Sequence, residues 1–362
     1  MPQIERSDVN YFTQLHRRAK RPARDDASAA AEALALEQPR EGPHCRGMNV
    51  LHRDPTDTRT VTPSGRGVAR AASARVFAYG LPAVFVLLWA SGFVVPRAFK
   101  PYAEPLTFIT ARNAGAAIVL VLVALALGRP WPRSRGDQIG LMWTGALLQG
   151  FFLMAVYWAI VNGLAVGVAA LIGALQPGLT ALFAALMAGE SLSRWQWTGL
   201  ALGFAGVGVV ISPKLTGADA HASLLLAGLF LAGVACAAYA SVYQKRFEKS
   251  GDAWTRTALI FVGATIPAAI AAGVIEDHRI AFTLPLVAVY VWSVFALAIG
   301  ATMALLYLIQ KGQAAKAASL IYLVPPVAAV MAWLGFGEPI GWALVAGFAV
   351  TAVGVLLVQA RK

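Results

Sequence analysis

Charged residues are scarce. They make up 13% of the 362 residues, roughly half the share in an ordinary soluble domain. Hydrophobic residues make up 58%, and the mean hydropathy is +0.63. A soluble core cannot hide that much apolar surface and a bilayer can, so an ordinary soluble domain is excluded. Cysteine is limited to Cys45 and Cys236, too few and too far apart for a disulfide or metal framework. No Asp or Glu lies deep in an apolar run, which leaves a carboxylate proton relay without support. No Gly-x-x-x-x-Gly-Lys-[Ser/Thr] loop is present, which argues against ATP-driven pumping. The first 75 residues lack the apolar stretch of a cleavable signal peptide, so the first apolar run is expected to act as the insertion signal.

The charges that are present are unevenly placed. Residues 1–75 hold 13 Lys/Arg and 9 Asp/Glu, and residues 76–362 hold 17 and 9. The net charge of +12 therefore divides into +4 and +8. In the second part the positive charge sits between apolar runs, where it sets topology and no nucleic-acid partner is implied. Residues 1–75 are rich in Arg, Ala, Pro, Asp and Thr. Apart from a short helix at 29–36, they are expected to form a disordered cytoplasmic tail, because they cannot bury enough surface to offset chain entropy. This tail reads as a regulatory or lipid-binding arm, as a solvated extension, or as the product of a start codon placed too early, with Met48 an internal alternative.

Stretches free of Asp, Glu, Lys and Arg mark ten spans, near 76–97, 105–127, 139–161, 165–188, 195–213, 221–244, 255–275, 285–310, 315–336 and 339–359. A crossing takes about 20 residues at a 1.5 Å rise each. The run 138–189 is too long for one crossing and divides near Asn162-Gly163. The run 113–128 is too short unless it extends back to Pro105 and takes Arg112 into the membrane. With the amino terminus inside, the cytoplasmic loops and the carboxyl end hold eleven Lys/Arg, apart from Arg256 at the mouth of span 7, and the opposite loops hold four: Arg97, Lys100, Lys214 and Arg279. This asymmetry predicts an even number of spans with both termini cytoplasmic.

The chain also resembles itself. Shifted by 148 residues, 168–212 and 316–360 share 14 of 45 positions. Pro177 falls on Pro325, Gly189-Glu190 on Gly337-Glu338, Gly199 on Gly347 and Gly206 on Gly354. At a shift of 149, Arg97 falls on Arg246. The spans thus group into two five-helix units, 76–213 and 221–359. Five is odd, so the second unit enters from the opposite side. The predicted fold is an all-α polytopic membrane protein of ten helices, two inverted repeats around a central cavity, which is a secondary-transporter architecture.

The motifs that carry this repeat are Leu88-Trp89-Ala90-Ser91-Gly92-Phe93, Pro105-Leu106 with Arg112, Gln176-Pro177 through Gly189-Glu190, and Pro325 through Gly337-Glu338. In this order and repetition they resemble the EamA family of the drug/metabolite transporter superfamily, over about residues 80–359. The resemblance implies a bacterial inner-membrane carrier that exports amino acids, metabolites or toxic compounds without a cofactor. The second half departs from the pattern at Ala237-Ala238-Tyr239, where a Trp is frequent; this questions the functional symmetry of the halves.

Candidate solute contacts follow from chemistry. Arg112 lies about 10 Å along its span from Pro105, where a guanidinium costs about 2.5–3.5 kcal/mol on insertion scales. It is a cavity cation for an anionic or zwitterionic solute, a structural tie to carbonyls, or a side chain that snorkels to the near surface. Trp89 and Ser91 in span 1, and Tyr157 and Trp158 in span 3, offer the apolar platform and oriented polar groups of an organic-solute site. Core packing and an interfacial aromatic belt are the alternatives. Gln149, Gln176, Tyr239 and Trp292 are further cavity candidates. Pro177, Pro325 and Pro326 interrupt the hydrogen-bond ladders of spans 4 and 9 and are expected to form fixed kinks. Gly189, Glu190, Gly337 and Glu338 are expected at helix ends and turns. Gly199, Gly203 and Gly206 are expected to let span 5 approach a neighbour closely.

Two other classes have less support in the sequence. A membrane-embedded transferase would need a paired nucleophile and base or a metal cluster, and the membrane part holds only His221 and His278, with Glu276-Asp277 reading as a plain loop. A receptor would need a folded signalling tail. The expected partners are therefore the bilayer and a small solute, with no metal and with oligomeric state open.

Overall fold

In lipid every backbone N–H and C=O must find its partner inside the segment, which makes the apolar runs helical. The computed structural model describes residues 84–189, 191–214, 220–247, 251–305 and 323–359. The tail 1–75, Glu190, Lys311 and Lys316 lie outside the described residues. Ten helical rods lie within them: α1 (Val84–Phe99), α2 (Pro105–Ala126), α3 (Arg135–Val161), α4 (Val166–Ala188), α5 (Arg194–Ile211), α6 (Ala220–Phe247), α7 (Ala253–Ile275), α8 (Leu284–Leu305), α9 (Val324–Phe336) and α10 (Trp342–Gln359). Six of these, α2, α3, α4, α6, α7 and α8, are long and apolar enough to cross a membrane. The described parts of α1, α9 and α10 are shorter apolar helices. Helix α5 opens on a polar turn, Arg194-Trp195-Gln196, that lowers its hydropathy.

Equivalent rods of the two halves pack on each other, α5 on α10 and α2 on α7. The α5–α10 contact is made of backbone. A Cβ at Gly199 would meet the Gly354 carbonyl and the Val358 backbone, and one at Gly206 would meet Gly347 and Thr351. Close approach through small residues is how helices associate where lipid supplies no hydrophobic drive. Outward faces carry exposed Leu225, Ile270, Val274, Leu334 and Leu356, with Trp195, Trp197, Trp333 and Trp342 near rod ends. Such a surface suits acyl chains flanked by interfacial indoles.

Three rods depart from regular α geometry. Helix α4 is two pieces, Val166–Gly173 and Gln176–Ala188, with Pro177 in the first turn of the second. Pro177 has no N–H for the Gly173 carbonyl, so the expected kink is a break placed just before the proline, where a helix tolerates it. Helices α3 and α8 contain π-helical stretches, Ala146–Phe151 and Trp292–Ala301. The repeat offset carries the first into the second. Helices α4 and α9 both end on a left-handed glycine, Gly189 (φ 70°) and Gly337 (φ 67°), the usual helix-closing residue because it has no Cβ to clash.

Glu276-Asp277 is more than the plain loop read from sequence. The Glu276 carboxylate accepts from the N–H groups of Leu106 (2.8 Å) and Thr107 (2.7 Å) and from the Thr107 hydroxyl (2.8 Å). It thereby supplies, from the end of α7, the cap that α2 lacks from its own Glu104. The neighbouring loops close over this junction. Arg279 N–H donates to the Glu104 carboxylate at 2.9 Å, and Ala281 N–H to the Tyr102 carbonyl at 2.7 Å. Hydrogen bonds to a charged acceptor contribute about 1.5–3 kcal/mol. Glu276→Ala is therefore expected to lower stability by about 2 kcal/mol, read as a lower unfolding midpoint in detergent. An unchanged midpoint would remove this role.

Candidate functional site

The centre of the site is Arg112 on α2, 4% exposed. Its Nη1 donates to the side-chain oxygen of Asn113 at 2.9 Å, and its guanidinium lies 5.9 Å from the centre of the Phe261 ring on α7. Asn113, fully buried, donates at 3.4 Å to the carbonyl of Gln149 within the π stretch of α3. Tyr157 lies close enough to interact electrostatically with the guanidinium. Tyr290 on α8 donates its hydroxyl to the carbonyl of Ala111, one residue before Arg112, at 3.1 Å. Among the described residues, two buried side-chain atoms have no hydrogen-bond partner, Arg112 Nε and Ser293 Oγ. Both belong to helices of this junction, since α2 packs against the π stretch of α8.

No carboxylate pairs with Arg112 among the described residues. That is unusual for a buried charge, which ordinarily has a counter-ion. The cation–π contact and one hydrogen bond leave the buried Nε without a partner, and Nε is one of the donors through which a planar guanidinium takes a carboxylate. Trp292 sits at the start of the same π stretch, and its ring N–H donates to Ser91 Oγ on α1 at 3.1 Å. Ser91 in turn donates to the Leu88 carbonyl at 2.7 Å. Trp89 packs its ring 5.4 Å from Phe85.

The sequence-derived candidates divide accordingly. Arg112, Gln149 and Tyr157 share one neighbourhood through Asn113 and the α2–α3 contact, and Ser91 and Trp292 are joined directly. Trp292 is nevertheless 46% exposed, so only its N–H edge faces inward. Tyr239 lies elsewhere, its ring 5.9 Å from Phe183 and 6.3 Å from Tyr243. Trp158 packs at the far end of α3, where its carbonyl accepts from Asn162. Gln176 opens the second piece of α4, and its carbonyl accepts from the Thr180 hydroxyl. Sequence reading passed over Asn113, Tyr290 and Ser293. Asn113 had a signal, a second strongly polar residue beside Arg112 in an apolar run, whereas a tyrosine and a serine in a span carry none. Among the described residues no three His, Cys, Asp or Glu gather to hold a metal.

A duplicated helical bundle with an apolar exterior defines the class: a multi-pass membrane protein. The sequence profile of the EamA-like transporter family matches residues 77–212 and again 224–360, and the chain belongs to that family. It is 26% identical over 288 residues to the uncharacterized transporter YvbV of Bacillus subtilis (strain 168), a match covering 78% of this chain and 91% of the relative. It is 25% identical over 285 residues to the chloroplastic WAT1-related protein At3g02690 of Arabidopsis thaliana, covering 75% of this chain and 66% of the relative. A solved crystal structure shares the fold, with TM-score 0.52 and 18% identity over 77% of this chain and 94% of that one.

Proposed function

We propose that this chain is a secondary transporter that exports a small amino-acid-like or drug-like solute across a bacterial inner membrane by alternating access. In this reading all ten helices span, residues 76–213 and 221–359 form inverted repeats, and residues 1–75 form a cytoplasmic tail beside a cytoplasmic carboxyl terminus. Family membership and a relative named as a transporter support transport over transferase chemistry. The observation that carries the choice of site is the buried guanidinium of Arg112, whose Nε has no partner and which has no carboxylate among the described residues. A solute carboxylate supplies the missing counter-charge. The π stretches of α3 and α8 flank it, and irregular backbone at membrane depth is found where it lines protein or a cavity. Gln149 and Tyr157 complete the near set; Trp89, Ser91 and Trp292, on α1 and α8, and Trp158, Gln176 and Tyr239 belong to the solute path away from the cation.

Reconstitution tests this. Proteoliposomes are expected to show saturable counterflow of at least one carboxylate-bearing solute from a panel of amino acids, their amides and simple carboxylates, and the amides are expected to move poorly. No saturable flux for any member would overturn the reading. Reporter fusions should place both termini on one face.

A further inference from the structure

A second arrangement of charges, away from Arg112, joins the two repeats at both tips of α4. At the first tip, Arg97 at the end of α1 donates to Glu338 Oε1 through Nε (2.8 Å) and Nη2 (2.7 Å). The other oxygen of Glu338 accepts from the N–H of Val166, the first residue of α4, at 2.9 Å. One carboxylate from the end of α9 thus clamps α1 and α4 of the opposite repeat. Both side chains are largely shielded, at 24% and 14% exposure, so water screens the pair less than it would a surface bridge. At the second tip, Arg246 near the end of α6 donates to the carbonyl of Met187, the penultimate residue of α4. The two tips are about 30 Å apart at 1.5 Å per residue, the depth of a bilayer core.

The duplication relates these ties. Arg97 and Arg246 are equivalent positions, and each reaches from the end of its unit's first rod onto the other repeat. The first tie bridges α1, α4 and the end of α9, and the second bridges α6 and the end of α4. We infer that Arg97 with Glu338, and Arg246 with the end of α4, are the closures at the two ends of the transport path, broken in turn as the solute site opens to one side and then the other. Both ties are made in this structure. A cycle whose two open states are equivalent by repeat symmetry needs one breakable contact at each end, and the two arginines occupy matching places.

The test reads access to the interior and requires no solute. In nanodiscs, with Cys45→Ser and Cys236→Ser, Ser91→Cys serves as reporter about 9 Å below Arg97 on α1. A membrane-impermeant maleimide is expected to label it slowly. Glu338→Gln and Arg97→Gln are each expected to speed labelling on the order of tenfold, with little further gain in the double variant because both remove one contact. Arg246→Gln is expected to slow labelling, since loosening the far end favours closure at this one. The exchange Arg97→Glu with Glu338→Arg restores the ion pair but not the acceptor for Val166 N–H, so it is expected to return labelling part of the way to the slow rate, which separates closure from misfolding. Equal labelling in all variants that remain monodisperse would overturn the inference. The readout is also independent of the transport reading: saturable flux with unchanged labelling would sink the closures alone, and labelling changes without flux would sink the transport reading alone.

Discussion

Arg112→Met is expected to abolish solute counterflow while leaving the unfolding midpoint close to that of the parent. The two halves of this expectation have separate origins. For stability, the guanidinium is buried without a carboxylate, so its desolvation is offset only by one hydrogen bond and the face of Phe261. Exchanging buried charge for a side chain of similar length is often neutral or stabilising, by about 1–4 kcal/mol. Against this, the side-chain oxygen of Asn113 loses its donor, a loss of about 1–3 kcal/mol. The terms nearly cancel. For transport, two charge-assisted contacts to a solute carboxylate at about 1.5–3 kcal/mol each imply a fall on the order of a hundredfold or more. Arg112→Lys keeps the charge but loses the planar fork, so an intermediate rate is expected. Counterflow by the Met variant at the parental rate would make Arg112 a packing residue.

Gly206→Leu is expected to destabilise the protein by about 3 kcal/mol, at the upper end of what overpacking costs. At this position α5 lies against the backbone of α10, and the nearest atoms to a new Cβ are the Thr351 hydroxyl and the Gly347 carbonyl. A backbone atom cannot turn aside as a side chain does, so the helices must separate. Separation also breaks the reciprocal contacts at Gly199 and Gly354. The matched control is Gly208→Leu, two residues on, where nothing lies within 4 Å of a Cβ. That change is expected to stay within about 0.5 kcal/mol. Thermal unfolding and monodisperse yield in detergent measure both. Equal midpoints for the two variants would show that the α5–α10 contact is not tight.

Much of this architecture is legible before any coordinates. The helix order, the division at Asn162-Gly163, the helix-closing Gly189 and Gly337, and the small-residue face of α5 all follow from local chemistry, because hydropathy and glycine act where they stand. What escaped is non-local. Arg97 and Glu338 are 241 residues apart, and Glu276 caps a helix that begins about 170 residues earlier. An isolated sequence names a charged residue but not its partner. The π stretches escaped for a related reason: their wider turn is set by packing between rods, and Ala146–Phe151, with Gly150 its one poor helix former, carries no mark of it. Arg112 stood out because lipid makes any cation conspicuous, yet its unpartnered Nε could be recognised only once every neighbour was placed.

The break in α4 has a mechanical consequence. An unbroken rod tethered at both tips would carry a push at one tip to the other undiminished. In α4 the first piece rests on α9 and the second on α6, and the absent rung at Gly173 leaves a soft joint between them. Each piece can tilt with its own neighbour, so the strut works as two levers on one pivot, and one face can open while the other stays shut.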